Sequence, residues 1–132
     1  MKTAQAEFLL FALSGVAGFV VDGGIVYGLT RFSHWGPIQA QILAFAVAVT
    51  VTWLINRRIT FAHKASPDWL QEWSRYVAAN SIGAFVNNGV YAALVLTMPI
   101  FHDQPVLAVA AGSLAGLGFN FAASRAWVFG SR

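Results

Sequence analysis

The sequence has no cysteine, and only 10% of its 132 residues are charged. Without cysteine there can be no disulfide and no thiolate metal site, and the redox state of the compartment stays undetermined. The shortage of charge excludes more. Soluble domains carry roughly 25% charged residues, whereas 58% of this chain is hydrophobic. A soluble protein this short keeps much of its surface wet and has nowhere to hide that much apolar side chain.

What is present instead is long apolar runs. Phe8–Leu29, Ile38–Ile55, Tyr76–Met98 and Val106–Ala123 each approach the roughly 20 helical residues that cross a bilayer core of about 30 Å. The expected fold is all-α: a polytopic membrane protein of four transmembrane helices, forming one domain over residues 1–132. Residues 1–7 have the look of a weak signal-peptide n-region, but the run that follows is longer than the roughly 7–15 residues of a signal peptide. It is read as a real span.

The net charge of +3 does not indicate nucleic-acid binding, because the basic residues sit in short loops and at helix ends, where they set topology. Lys2, Arg57, Arg58, Lys64, Arg75, Arg125 and Arg132 fall on one side of the four-span arrangement, and Arg31 alone falls on the other. This bias puts both termini and the central loop in the cytoplasm. In that loop Ser66-Pro67-Asp68 reads as a helix start, with serine as N-cap and proline at the first helical position. Trp69, Leu70 and Trp73 then share a face opposite Asp68, Gln71 and Glu72, which predicts a short helix in the headgroup plane before the third span.

The chain repeats. Ala44, Ala48, Thr52 and Asn56 align with Gly112, Gly116, Asn120 and Ser124 at an offset of 68, and Arg57 falls on Arg125. At an offset of 66, Ser14, Gly18 and Asp22 fall on Asn80, Ala84 and Asn88. Four-residue steps lie along one stripe of a helix. The chain is therefore read as two helical hairpins, about 8–61 and about 76–129, each with an even number of spans and hence a parallel repeat.

Two groups of residues can carry chemistry. Arg57 and Arg125 end the two small-to-polar stripes. An arginine's planar fork grips phosphate in bidentate fashion, which lysine does not. With Arg58, Asn56 and Asn120 they form a candidate phosphate-binding set. Asp22 is the one acid well inside a span, where charge is costly. With Asn87, Asn88 and Thr52 it forms a candidate polar lane suited to sugar hydroxyls. The glycine stripes are close-packing devices between membrane helices, and the flanking Trp53, Phe61, Trp127 and Phe129 read as interfacial aromatics. The three histidines lie apart in loops. No nucleophile–base pair, metal-ligand spacing or phosphate-cradling loop is present, so neither catalysis nor a cofactor is expected.

The segments FALSGVAGFVVD (11–22), NRRITF (56–61) and NFAASRAWVF (120–129), in that order and spacing, resemble the GtrA-like (GtrA/GtcA) family of small four-span bacterial membrane proteins. Ile59 departs from that pattern, standing where an aromatic like Trp127 is expected. The resemblance implies movement of polyprenyl-phosphate-linked sugars across the cytoplasmic membrane for cell-surface polysaccharide synthesis. It also implies a membrane glycosyltransferase as partner. Four short helices enclose little volume, so a homo-oligomer, a dimer, is expected. Two other readings stand beside it: a non-transporting scaffold for such a glycosyltransferase, and a small proton-coupled cation or drug antiporter using Asp22. The excess of inner-side arginines, which repel cations, counts against the antiporter.

Overall fold

A computed structural model describes residues 3–130. Lys2 and Arg132, two of the cations expected on the inner side, lie outside them. Helix α1 (Ala4–Phe32) opens on Thr3, whose hydroxyl accepts the Ala6 N–H at 3.1 Å and so satisfies one of the amides left open at a helix start. A four-residue turn leads to α2 (Pro37–Ile55), with proline at its first position. There its fixed φ costs nothing, because no intrahelical N–H is needed. Helix α3 (Trp69–Thr97), the short α4 (Pro99–Asp103) and α5 (Pro105–Ala123) complete the order. No strand occurs among the described residues.

Both α2 and α5 run into a five-residue π-helical turn, Asn56–Thr60 and Ser124–Val128. In each turn the bond skips one residue further than in an α-helix. Phe61 N–H reaches the Asn56 carbonyl at 2.8 Å, and Phe129 N–H reaches the Ser124 carbonyl at 2.9 Å.

The chain divides into two compact units, Met1–Trp73 and Ser74–Arg132. In the first, α1 packs antiparallel on α2. Gly18 lies so close to Thr52 that a Cβ there would overlap the threonine methyl. The stripe Ala40, Ala44, Ala48, Thr52 and Asn56 is buried along its whole length. In the second unit α3 packs on α5 in the same way. Gly83 lies under the Asn120 side chain, and Gly112 and Gly116 lie against Asn87. Close backbone approach through small residues is how helices associate where lipid removes the hydrophobic drive between them.

The structure corrects the register of the repeat by one residue. Phe11 meets Phe61 and Tyr76 meets Phe129 with the same ring geometry, 6.3 Å between centroids and 57° between planes. Gly18 faces Thr52 as Gly83 faces Asn120. Helix α1 therefore matches α3 at an offset of 65, not 66. Thr3 then matches Asp68, Glu7 matches Glu72 and Asp22 matches Asn87. The predicted stripe Asn80, Ala84, Asn88 is replaced by Ala79 and Gly83, both buried, followed by the half-buried Asn87. Sequence identity misled at this point, since an asparagine pair at 87 and 88 offers two equally good partners for one aspartate.

The expected interfacial helix ahead of residue 76 is also corrected. Residues 69–73 are the first turns of α3 itself. Its N-cap is Asp68, whose carboxylate accepts the Gln71 N–H at 3.2 Å, while Ser66 Oγ accepts the Asp68 N–H at 3.1 Å. The serine caps the cap.

Among the described residues three helices are long and apolar enough to cross a membrane: Ala4–Phe32, Pro37–Thr60 and Pro105–Val128. At 29 residues α3 has the length, but Asn80, Asn87 and Asn88 dilute its hydropathy. Large apolar side chains stand open on the surface, with Phe19 77% and Phe85 82% exposed. Apolar surface on that scale marks contact with a membrane or partner.

Candidate functional site

In the first unit the chemistry gathers where α2 loosens into its π turn. Asn56 and Thr60 are both fully buried, and the Thr60 hydroxyl donates to Asn56 Oδ1 at 2.7 Å. The wider turn carries Arg57 off the buried stripe toward the start of α3. There its Nη1 forms a salt bridge with Glu72 Oε1, and its Nη2 donates to the Ser66 carbonyl at 2.8 Å. The guanidinium also lies over the Trp53 ring, 5.8 Å from its centroid.

Glu72 is the centre of this cluster. It is 1% exposed, and besides Arg57 it receives the Trp53 indole N–H at 3.1 Å and the Ser66 backbone N–H at 2.6 Å. A buried carboxylate is tolerable only when its oxygens are supplied with donors and a counter-charge. Here a cation, an indole and an amide do so. Trp73 ties the same helix start to α2 by donating to Thr50 Oγ1 at 3.1 Å, and Trp69 tilts against Trp53 at 6.5 Å.

Further along α1 and α2, Asp22 accepts a hydrogen bond from Gln41 Nε2 at 3.0 Å. Thr52 is buried, with its hydroxyl donating to the Val49 carbonyl and its methyl over Gly18. Arg58 is exposed.

The second unit carries the same turn with different occupants. Ser124 stands where Asn56 does and Val128 where Thr60 does, so the hydroxyl–amide pair of the first copy has no counterpart. Ser124 Oγ is buried and has no hydrogen-bond partner among the described residues. Asn120 Oδ1, one turn earlier, is likewise buried without a partner. Arg125 is exposed on the π turn. Arg75, from α3, lies 5.5 Å from the centroid of Trp127 and donates to the Trp127 carbonyl at 3.3 Å. Cation–π attraction and a carbonyl at a helix C-terminus both favour a guanidinium there. Ile59 stands where Trp127 does and offers no such face. Asn87 packs on Gly112, whereas Asn88 is exposed and its amide donates to the Ala84 carbonyl of its own helix at 3.0 Å.

The structure thus joins Arg57 to Ser66 and Glu72, Asn56 to Thr60, and Asp22 to Gln41. Arg58 and Asn88 stand outside those groupings. Sequence reasoning missed Glu72, Gln41 and Arg75. For Glu72 a signal existed, an acid 15 residues from an arginine in an otherwise acid-poor chain. An amphipathic reading of residues 68–73 assigned it to water.

A model of the GtrA/DPMS transmembrane domain matches residues 10–129. The uncharacterized membrane protein YngA of Bacillus subtilis (strain 168) is 26% identical over 120 residues, which is 91% of this chain and 77% of that relative.

Proposed function

The chain belongs to the GtrA/DPMS transmembrane-domain family, and from that premise we propose that it moves a polyprenyl-phosphate-linked sugar across the bacterial cytoplasmic membrane, for cell-surface polysaccharide synthesis or glycosylation. The carrying observation is the recurrence, in both units, of an arginine on a π turn that ends a small-to-polar helix stripe. π turns are rare and are concentrated at functional sites.

A sugar-phosphate headgroup does not cross hydrocarbon unaided, because burying its charge and hydroxyls without partners is very costly. It needs an anion site at the inner end and hydrogen-bonding groups beyond it, while the prenyl tail stays in lipid. Arg57 with Asn56, and Arg125 with Asn120, supply the first in each unit. Asp22 with Gln41, and Asn87, supply the second. The protein does no chemistry on the sugar. It works as a homo-oligomer beside a membrane glycosyltransferase that makes the lipid-linked substrate.

In this reading the chain spans the membrane four times as two parallel-repeat hairpins, with α3 as the more polar span and both termini inside. Cysteines at Lys64 and His102 should then react with an impermeant reagent from opposite sides. Labelling from one side ends the four-span arrangement.

A scaffold role is the second reading. It is favoured by the internal neutralisation of Arg57, which makes one of the two arginines a packing element. The two readings part in proteoliposomes. Wild-type protein alone should move a labelled polyprenyl-phosphoryl sugar. Arg125→Lys should insert normally yet lose most of that transport, since losing a charge-assisted hydrogen bond weakens binding on the order of tenfold to a hundredfold. If purified wild type moves nothing while Arg125→Lys still supports glycan modification in cells, the scaffold stands.

A further inference from the structure

Both Nη groups of Arg57 are already engaged inside the protein, one by the Glu72 carboxylate and one by the Ser66 carbonyl. Its side chain nonetheless keeps 23% of its surface exposed, against 0% for Glu72. An anion arriving at the membrane surface can reach the guanidinium, then, but cannot take the whole fork without displacing a carboxylate. Displacement is possible because Glu72 does not depend on Arg57 alone. The Trp53 indole and the Ser66 amide still hold its two oxygens.

The setting makes such a competitor useful. Every anionic phospholipid at the inner face presents a phosphate with no cation of its own, unlike the choline-paired phosphate of phosphatidylcholine, and the phosphate of a lipid-linked sugar is a diester of the same charge. Charge alone cannot tell them apart. A site discriminates either by improving contacts to the right ligand or by penalising all ligands until only the one with extra contacts succeeds.

We infer that Glu72 is a specificity-determining residue, an internal anion that excludes bulk phospholipid phosphate from Arg57 and yields to a phosphate that also carries a sugar. This rests on the reading of Arg57 as a phosphate-binding residue. The sugar hydroxyls supply the additional hydrogen bonds that offset loss of the ion pair, and the two hydroxyls of a phosphatidylglycerol headgroup supply fewer.

The test is binding of farnesyl-phosphoryl-glucose to the full chain in nanodiscs of phosphatidylcholine, with and without added phosphatidylglycerol. Wild type should bind the probe equally in both. Glu72→Gln keeps shape and hydrogen bonding but removes the competing charge. It should bind about tenfold tighter in phosphatidylcholine alone and lose most of that gain when phosphatidylglycerol is present. Glu72→Asp, which keeps the charge on a shorter stem, should fall between them and guards against a folding defect in the first variant. A purely structural role for Glu72 predicts no difference between the two lipid mixtures.

Equal or weaker binding by both Glu72 variants, with Arg57→Gln abolishing binding, overturns the inference and leaves the phosphate role of Arg57 intact. Binding that is indifferent to Arg57→Gln, or absent in every variant, overturns that role and the inference with it.

Discussion

Replacing Gly112 by alanine should cost the protein about 1–3 kcal/mol of stability, the usual penalty for overpacking, and replacing it by leucine should cost more. A Cβ at Gly112 would stand 2.6 Å from the Asn87 carbonyl oxygen and 2.7 Å from its Oδ1. The first of these is backbone, so only separation of α3 from α5 makes room. Gly118, on the same helix, is the control. Nothing lies within 4 Å of its would-be Cβ, and alanine there gains helix propensity of roughly 1 kcal/mol. Thermal unfolding in detergent should therefore drop for Gly112→Ala and hold or rise for Gly118→Ala. Equal effects at both positions would show that the α3–α5 approach is looser than described.

The second large effect concerns the ion pair. Arg57→Met removes the counter-charge of a carboxylate that is 1% exposed, and breaking a buried pair from one side costs about 3–5 kcal/mol. Replacing Arg57 and Glu72 together by methionine leaves no stranded charge, and such double replacements are often near neutral. The cycle should thus be strongly non-additive, with a double variant more stable than Arg57→Met alone. Unfolding measurements on all four proteins decide it, and additive losses would mean that the two side chains do not act as a pair. The double variant also bears on function, because it is a folded protein lacking one arginine fork. Transport should fail in it if Arg57 grips phosphate, whereas under the scaffold reading it should still support glycan modification in cells.

The helices and the membrane setting were legible in the sequence because they depend on composition and on runs of apolar residues, which need no tertiary knowledge. The stripe from Ala44 to Asn56 was legible for the same reason, and its members are buried as the four-residue spacing requires. The register of α1 against α3 was not. Sequence similarity weighs an asparagine at 87 and one at 88 alike, while packing admits only the one whose backbone meets Gly112. Glu72 was hidden by a different cause. Periodicity over six residues reports a polar face, and it cannot say whether water or an arginine 15 residues back covers that face. The π turns left no trace in the periodicity either, since a single widened turn at a helix end changes no apolar repeat.

Those turns carry a history. A π turn holds one residue more than the α-helical turn it interrupts, and in both copies the addition begins at the residue before the arginine. One addition shared by both copies accounts for the two turns more economically than two independent additions at one matched position. The two offsets, 65 for the first helix and 68 for the second, locate where the copies differ. Four residues join α1 to α2, and seven, including α4, join α3 to α5. The whole difference in length between the copies lies in that connection. The connection between the helices thus differs from copy to copy, while the two π-turn ends share one geometry and differ only in the side chains they display.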